Sequence, residues 1–537
     1  MSSANGRQDL SALGVQDLSA LGIQALVDPG KTPTDEQVRV IEAPRRPLLV
    51  VAGAGSGKTE TMSMRVLWLV ANHEDIAPSS VLGLTFTRKA AGELGDRLRQ
   101  RLALLAGRVP SLRERLDEDP VSLTYNSFAE RIVAEHGMRI GIDPDFTMLT
   151  EAGAVDLMTQ IVEGWPTDLD EDLSPSAAVG HCLHLAGEVG EHGYTVEEAR
   201  DALEGFGRDL EQIGATNDTA RKTLRANARR LAYLGPVEEF QRRKREGGLL
   251  DFSDQLVLAT RIVREAPAVR AQVRDEFQAV LLDEFQDTSV IQMELLSLLF
   301  HDHAVTAVGD PNQAIYGWRG ASASSLERFL DRFQDGPARP GQTLTLSTAW
   351  RNDRNILRAA NRVAAPLREH SRAAKSPVLR ARPGAGEGRV DVAYTQDYRS
   401  ALGAVVDFVS AHRARGTQEG KRPTTAVLCR RRSDFPYVDM ALREAGVPTQ
   451  IVGLGGLLDQ PSVQDARAAL VLADDVEASP WLARLLAGID LDAADLVALG
   501  DWARHLAREE GRDPHRAVLL DAVDNPPEPG WSASGGA

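Results

Sequence analysis

The segment from Ala52 to Thr59 constrains the fold of this chain more than any other feature. It reads AGAGSGKT, follows the apolar run Leu48–Val51, which is typical of a buried strand, and opens a helical pattern that reaches about Asn72. This order of strand, glycine-rich loop and helix matches the phosphate-binding loop, with alanine in place of the first glycine. The pattern therefore predicts an α/β fold with a parallel sheet.

The residue types in this loop suit a nucleoside triphosphate bound with Mg²⁺. Glycine lets backbone N–H groups approach phosphate oxygens, and the helix that follows adds the positive end of its dipole. Lys58 would reach the outer phosphates, and Thr59 would ligate Mg²⁺. The expected nucleotide-binding residues of this segment are Ala52, Gly53, Ala54, Gly55, Ser56, Gly57, Lys58, Thr59 and Glu60.

An acidic pair supplies the other half of the expected chemistry. Asp283 and Glu284 directly follow the apolar run Ala279–Leu282, which predicts a second buried strand. The carboxyl edge of a parallel sheet holds ligands, so these side chains should project beside the phosphate loop. We assign Asp283 to the metal ion and Glu284 to the attacking water. Together the loop and the acidic pair predict a nucleoside triphosphatase.

Composition excludes some classes of protein and bounds the others. The chain has 537 residues, enough for several domains, and a net charge of -16, so any nucleic-acid contact must come from a local groove. No apolar stretch approaches the roughly 18 residues that a membrane span needs. We therefore expect a cytoplasmic protein without a membrane partner. Cys182 and Cys429 are far apart, which favours inert thiols over a metal site or a disulfide.

The order of strand and helix signals predicts an α/β domain that is interrupted by helices and followed by a second α/β block. Strands are predicted at Val390–Ala393 and Ala426–Cys429 within that second block. The predicted segments are a flexible or weakly helical leader at 1–30, the first part of the nucleotide-binding domain at 31–150, a helical insertion at 151–248, the second part at 249–342, the start of a second domain at 343–478, and the start of a further helical insertion at 479–537.

Three motifs carry a resemblance to a known family. The loop AGAGSGKT is followed at 283–288 by DEFQDT and at 308–321 by VGDPNQAIYGWRGA. This set resembles the UvrD/Rep/PcrA branch of superfamily 1 DNA helicases. Within that branch, residues 49–61 and 82–91 look most like actinobacterial AdnB, a subunit of a helicase–nuclease. The resemblance implies two RecA-like domains, ATP and Mg²⁺ as cofactors, and 3′ to 5′ travel on DNA.

The resemblance also implies roles for residues around the nucleotide. Gln37 matches the glutamine that reads adenine, since a carboxamide can both donate to and accept from the base edge. Gln313 matches the glutamine that senses the γ-phosphate. Trp350 would stack on the base, and Arg351 would act as an arginine finger that stabilises charge in the transition state. With Lys58, these residues and the acidic pair form the expected catalytic set.

A second group of residues matches the positions that contact DNA in the family. Phe86, Tyr316 and Trp318 occupy positions that stack on or support single-stranded bases, which suits tracking without sequence preference. Asn126 stands where the family commonly has a histidine, and the resemblance implies a contact with the DNA backbone there. The expected partners are single-stranded DNA, junctions between single strand and duplex, and a second helicase–nuclease subunit.

The sequence leaves alternatives open. Motifs V and VI of the family, and the nuclease of an AdnB-type protein, do not occur in these residues. The competing interpretation is therefore a truncated ATP- and DNA-binding module that does not unwind DNA by itself. A small-molecule kinase would explain the phosphate loop but not residues 308–321. The basic run Arg242–Arg245 is read as a solvated face in preference to a DNA contact, and Asp251 or Ser253 as a helix cap at least as readily as a family motif.

Overall fold

The computed structural model describes most of the chain between residues 18 and 527. The described ranges are 18–142, 146–167, 169, 173–214, 217–315, 325–334, 341–370, 375–418, 420, 423–452, 461–487, 491, 493–512, 514 and 517–527. Tyr316 and Trp318, two of the expected DNA contacts, lie outside these ranges.

A six-stranded parallel sheet forms the centre of the first part of the chain. The strands, in chain order, are β1 Leu48–Ala52, β2 Val81–Thr85, β3 Val121–Thr124, β4 Thr147–Met148, β5 Leu249–Leu250, β6 Ala279–Leu282, β7 Ala304–Gly309, β8 Gln342–Leu346, β9 Thr348–Ala349 and β10 Arg380–Ala381. The large sheet has the order β3-β2-β6-β7-β1-β8, and every neighbouring pair in it is parallel. The expected α/β fold with a parallel sheet is confirmed.

Helices account for most of the remaining described residues. In chain order they are α1 Ala20–Val27, α2 Asp35–Ile41, α3 Lys58–Asn72, α4 Arg88–Arg108, α5 Tyr125–His136, α6 Glu151–Glu163, α7 Pro175–Glu191, α8 Val196–Gln212, α9 Asp218–Glu246, α10 Phe252–Glu265, α11 Pro267–Glu276, α12 Val290–Phe300, α13 Ser325–Arg332, α14 Arg354–His370, α15 Tyr398–Gln418, α16 Phe435–Glu444, α17 Pro461–Asp474, α18 Ser479–Ala487, α19 Ala493–Glu509 and α20 Leu519–Asp524.

The sheet is buried on both faces because alternate side chains of each strand enter different cores. Leu49 and Val51 of β1 pack into a cluster with α5, α10 and α12, whereas Leu48 and Val50 pack into a cluster with α1, α3 and α4. This explains why β1 is apolar at every position: all five of its residues are buried. Because the strands themselves are buried, the polar residues that follow them lie at the carboxyl edge of the sheet.

The first helix corrects one expectation about the leader. Ser19 caps α1, whose residues Ala20 and Ile23 are fully buried in the cluster that contains α3 and α4. The backbone N–H of Ala20 also donates to Glu42 Oε1 at 2.7 Å. Apolar residues three apart thus secure this helix to the core, so residues 20–27 adopt the helical alternative and are not flexible.

The helical insertion has its own core and a closed base. Helices α6, α7, α8 and α9 surround a separate apolar cluster. At the base, β4 and β5 pair in parallel, so the chain leaves and re-enters the α/β domain at one place. Lys244 Nζ is buried there between Asp251 Oδ2 at 2.5 Å and Asp254 Oδ2 at 2.7 Å. The insertion is therefore joined to the start of α10 by a buried ionic contact.

The predicted second α/β block differs from expectation at its start and at its two predicted strands. The segment from Thr343 does not open a new sheet, because β8 pairs with β1 along its whole length. The described residues divide into two compact units, one within 1–390 and the other within 391–537. The strands expected at Val390–Ala393 and Ala426–Cys429 are absent from the structure. These segments lack a hydrogen-bonded neighbour strand, without which a parallel strand does not form.

Candidate functional site

The phosphate loop encloses a space that side chains larger than those of its glycines would fill. Gly55 and Gly57 have φ angles of 74° and 83°, a region that favours glycine. A Cβ on Gly53 would collide with the side chain of Leu379. Ser56 Oγ is buried and has no hydrogen-bond partner among the described residues. Backbone N–H groups, a helix N-terminus and an unpaired hydroxyl therefore fit the phosphates of a nucleotide.

Lys58, in the loop region after β1, forms an ion pair with Glu284, which follows β6. The acidic pair therefore lies beside the phosphate loop, as the sequence predicts. Lys58 Nζ lies 2.8 Å from Glu284 Oε2, although 226 residues separate them. Glu284 has a φ of 49°, and it is the sole non-glycine residue with positive φ in the described ranges. Backbone strain of this kind is concentrated at functional sites. The turn after β6 thus holds the carboxylate against the phosphate-loop lysine.

Asp283, the residue expected to hold a metal ion, directly follows β6. Its half-buried carboxylate accepts a hydrogen bond from the backbone N–H of Glu284 at 3.0 Å. Burial, and then the charge of Glu284, raises the pKa of Asp283 to about 6. A divalent cation would offset both effects by favouring the charged form. Within the described ranges no three His, Cys, Asp or Glu side chains gather to hold a metal by themselves. Asp283 and Thr59 remain the residues expected to hold Mg²⁺ together with phosphate oxygens.

Gln286 links the acidic pair Asp283–Glu284 to Asp310. The sequence analysis assigned no role to this residue. Its Nε2 donates to Glu284 Oε2 at 2.9 Å, and its Oε1 accepts from the backbone N–H of Asp310 at 3.0 Å. Asp310 Oδ2 in turn accepts from Gln313 Nε2 at 2.7 Å. The expected γ-phosphate sensor is thus connected to the acidic pair by side-chain hydrogen bonds. The available signal was the position of Gln286 within the motif at 283–288, which follows β6.

Three expected nucleotide residues, Gln37, Trp350 and Arg351, reach the loop from distant parts of the sequence. A Cβ built on Gly57 would lie 3.0 Å from Gln37 Nε2, 3.7 Å from Trp350 Cδ1 and 3.9 Å from Glu60 Cβ. The backbone N–H of Trp350 donates to the carbonyl of Gly55 at 2.8 Å. Arg351 lies on the same side, with its Cβ 3.0 Å from a Cβ built on Gly55. The segment after β8 is therefore part of this site.

Gln37 and Glu60 make contacts that the sequence did not predict. Gln37 forms a capping box with Thr34 at the start of α2, and its Nε2 also donates to Thr61 Oγ1 at 3.2 Å. Glu60 accepts hydrogen bonds at 2.7 Å on both of its oxygens from Nη2 of Arg101 in α4. Both side chains are therefore held by protein contacts at the edge of the nucleotide site.

The described DNA candidates lie after β2 and β3, at the same edge of the sheet. Phe86 packs on Tyr125 with ring centroids 4.9 Å apart and is partly buried against the core. Asn126 Oδ1 accepts a long hydrogen bond of 3.4 Å from Gln292 Nε2. The hydroxyl of Tyr125 donates to the Asp283 carbonyl at 3.1 Å. Tyr125 thus connects the expected DNA side of this edge with the acidic pair.

Within the basic cluster the expected solvated face holds for Arg242 and Arg243 but is wrong for Lys244, which is buried against Asp251 and Asp254. Arg242 pairs with Glu239 and Glu246, and Arg243 also pairs with Glu239, whose pKa these arginines lower to about 2. Asp251 caps α10 in a capping box with Asp254. Helix chemistry therefore accounts for these residues.

Comparisons with known proteins agree with the site. Residues 33–334 match the family model described as the UvrD/REP helicase N-terminal domain. DNA helicase II of Escherichia coli (strain K12) is 27% identical over 488 residues, which are 89% of this chain and 58% of that protein. The ATP-dependent DNA helicase UvrD2 of Mycobacterium tuberculosis (strain ATCC 25618 / H37Rv) is 28% identical over 500 residues, 91% of this chain and 64% of that protein.

A third relative shows similar coverage. The ATP-dependent DNA helicase PcrA of Staphylococcus epidermidis (strain ATCC 12228 / FDA PCI 1200) is 26% identical over 438 residues, which are 81% of this chain and 53% of that protein. The chain thus spans from 53% to 64% of the length of these relatives. No described helix is long and apolar enough to cross a membrane. The family model covers more than half of the sequence, and the chain therefore belongs to the UvrD/REP helicase family.

Proposed function

We propose that this chain is an ATP-dependent DNA helicase motor that couples ATP hydrolysis to travel on single-stranded DNA and to unwinding of duplex. The observation that carries the proposal is the contact of Lys58 with Glu284, together with the hydrogen bonds of Gln286 to Glu284 and Asp310. These contacts join the phosphate loop, the acidic pair and the expected γ-phosphate sensor at one sheet edge.

Each nucleotide residue has a role that its position supports. The loop N–H groups and Lys58 bind the phosphates, and Thr59 with Asp283 holds Mg²⁺, which would neutralise phosphate charge. Outer phosphates would compete with Glu284 for Lys58, which would leave the Glu284 carboxylate available to orient and deprotonate water. Gln313 would sense the γ-phosphate, and Arg351 would stabilise the charge that develops on it. Gln37 and Trp350 would bind the base.

DNA binding is proposed along the other half of the same edge. Phe86 and Asn126 follow β2 and β3, and the family positions Tyr316 and Trp318 follow the sensor segment in sequence. Aromatic stacking of bases contributes about 1 to 3 kcal/mol per base without regard to sequence. We also propose 3′ to 5′ travel, a role in DNA repair or recombination in the cytoplasm, and an AdnB-like second helicase–nuclease subunit.

A second candidate function is a nucleotide- and DNA-binding module that does not separate strands by itself. Its support is the second unit, whose described residues form helices and irregular segments but no strand. A motor of this type hydrolyses ATP between two RecA-like domains, and a missing arginine finger can lower the rate by about 10³- to 10⁵-fold. Binding without unwinding would then be the result.

Strand separation on a duplex with a 3′ single-stranded tail distinguishes the two functions. The helicase proposal expects displacement that requires ATP and is lost in Lys58→Met. Binding of ATP and of the tail without displacement supports the second candidate and contradicts the first. Trp318→Ala should weaken binding of the single strand but retain ATP binding, and unchanged DNA binding would contradict the stacking role of Trp318.

A further inference from the structure

Residues 351–390 form a strongly basic segment in an acidic protein. The segment contains ten arginine and lysine residues and three acidic ones, whereas the whole chain has a net charge of -16. Part of this charge is ordered along α14, where Arg354, Arg358 and Arg362 follow one another at intervals of four residues. Residues at this spacing lie on one face of a helix, about 6 Å apart along its axis. A row of positive charge therefore runs along two turns of α14.

Most of this row is not neutralised by the protein. Arg354 pairs with Glu387 at 3.0 Å. Arg358 and Arg362 are both exposed, and Arg358 donates to Asn355 Oδ1 at 3.0 Å. Among the described residues, neither Arg358 nor Arg362 pairs with a carboxylate. Like charges four residues apart on a helix repel each other and weaken it. A polyanion bound along α14 would offset that repulsion.

Other described helices of this chain use arginine differently. Arg131, Arg242 and Arg261 each pair with a glutamate four residues later in their own helix. Opposite charges at this spacing stabilise a helix, which explains such pairs without a ligand. The row on α14 lacks this explanation, and its arrangement therefore points to a partner outside the chain.

A surface pocket of about 440 Å³ lies along the row. No described acidic residue lines this pocket, whose lining is Asn355, Arg358, Ala359, Arg362, Gly388, Arg389 and Val390. Three of these residues are arginines, and a guanidinium presents a planar set of N–H donors that matches phosphate oxygens. The composition of the pocket thus suits an anion with several phosphate groups.

The loop that carries Arg389 is fixed against the start of α14. The backbone N–H of Asn355 donates to the carbonyl of Glu387 at 2.7 Å, and Asn355 Nδ2 donates to the carbonyl of Gly388 at 3.1 Å. Gly388 has a φ of 69°, and a Cβ there would lie 2.8 Å from Asp353 Cβ, so this close approach requires glycine. The pocket is therefore largely pre-formed, which lowers the cost of ordering it around a ligand.

We propose that the exposed face of α14, with Arg358, Arg362 and Arg389, binds the phosphodiester backbone of DNA. This inference rests on the proposed function and deepens it, because none of these arginines belongs to the expected DNA or nucleotide residues. Phosphate contacts hold a nucleic acid in position without reading its sequence. Such contacts suit a protein that travels along DNA of any sequence.

Equilibrium binding of a labelled single-stranded oligonucleotide and of a labelled duplex to the full chain tests the proposal. The double variant Arg358→Gln/Arg362→Gln should bind at least one of these probes about tenfold more weakly at about 0.1 M salt, because two phosphate contacts are lost. The slope of log affinity against log salt should become shallower by about 0.7 per lost contact for the single strand and about 0.9 for the duplex. The probe that shows the loss identifies the form of DNA that occupies the face. ATP binding should be unchanged, which also shows that the variant is folded.

The double variant Arg242→Gln/Arg243→Gln is the matched control. It removes the same charge from another helix, where both arginines pair with Glu239. Its DNA affinity and salt slope should stay near those of the wild-type chain. An equal loss in the two double variants would show an effect of net charge alone and would overturn the proposal.

Chemical protection gives a second measurement that needs no variant. Phenylglyoxal modifies accessible arginines, and mass spectrometry of peptides locates the modified positions. Bound DNA should protect Arg358 and Arg362 of the wild-type chain but leave Arg242 accessible. Equal modification of Arg358 and Arg362 with and without DNA would overturn the proposal.

The remaining outcomes separate this inference from the proposed function. A wild-type chain that binds neither DNA probe would overturn both. Wild-type DNA binding that keeps its affinity and salt slope in Arg358→Gln/Arg362→Gln would overturn only the role of the α14 face. Poly-glutamate tests an acidic protein segment as the partner. Displacement of DNA by poly-glutamate as effective as that by unlabelled DNA of equal charge would assign the face to such a segment and overturn the assignment to DNA.

Discussion

At the scale of single residues, Gln286 connects the charged groups of the site. Lys58, Asp283 and Glu284 belong to patterns whose chemistry is local, and the structure brings them together. Gln286 has partners in the acidic pair and at Asp310, 24 residues further along the chain. Such a connection depends on the adjacency of β6 and β7, which local sequence does not specify.

Replacement of Gln286 by methionine tests whether this connection matters. The change keeps the length of the side chain but leaves the buried N–H of Asp310 without its partner. Loss of such a partner costs about 1 to 3 kcal/mol, so the free energy of unfolding in urea should fall by that amount. The rate of ATP hydrolysis at saturating ATP should also fall, because Glu284 loses one of its donors.

Gln334→Met provides the control for this change. Gln334 is exposed, and its Nε2 donates to the carbonyl of Leu330 at the end of α13. Replacement there should leave both stability and turnover near those of the unmodified chain. Similar behaviour of the two variants would contradict a bridging role for Gln286.

At the scale of elements, a buried arginine holds the nucleotide-site helices together. Arg65 of α3 is fully buried and donates to the carbonyls of Val40, Ile41, Ala43 and Pro44, which follow or end α2, and to Thr306 Oγ1 of β7. Burial lowers its pKa to about 10, so it remains charged at neutral pH. The guanidinium thus satisfies carbonyls at the end of the helix that carries Gln37.

Arg65→Met should therefore destabilise the chain strongly. The change leaves several buried carbonyls without a donor, and each costs about 1 to 3 kcal/mol. We expect a fall of more than about 2 kcal/mol in the unfolding free energy measured with urea. Arg45→Met is the control, since Arg45 pairs with Asp75 near the surface and such pairs contribute about 0 to 1 kcal/mol. Equal losses in the two variants would contradict the role assigned to Arg65.

The helices and strands near Arg65 show why sequence predicts elements better than their contacts. The helix predicted from Lys58 to about Asn72 is confirmed as α3, and the strand predicted at Ala279–Leu282 is confirmed as β6. Both follow from apolar patterns of adequate length. The burial of Arg65 could not be predicted in this way, because arginine is mostly exposed and its partners are carbonyls of another element.

At the scale of the whole molecule, the nucleotide residues and the second unit are separate in sequence. All expected nucleotide contacts, from Gln37 to Arg351, precede residue 391. The strands predicted at Val390–Ala393 and Ala426–Cys429 are wrong because β-propensity alone does not supply a neighbour strand. The parallel sheet of the first unit was predictable because several of its strands carry independent apolar signals.

This arrangement gives an expectation for a shortened chain. A protein of residues 1–390 should bind ATP with Mg²⁺ as tightly as the full chain, because the phosphate loop, acidic pair and sensor are all retained. Calorimetric titration of both proteins with ATP provides the comparison. Loss of binding in the shortened protein, with a cooperative unfolding transition preserved, would contradict a site formed by the first unit.

The most direct test of the central claim is the rate of ATP hydrolysis with and without single-stranded oligonucleotide. The account expects stimulation by the oligonucleotide, and a fall of about 10²-fold or more in Glu284→Gln, which removes the base but leaves the phosphate loop. ATP binding by that variant should be retained. Hydrolysis that is indifferent to DNA, or that survives unchanged in Glu284→Gln, would contradict a DNA-coupled ATPase built on this sheet edge.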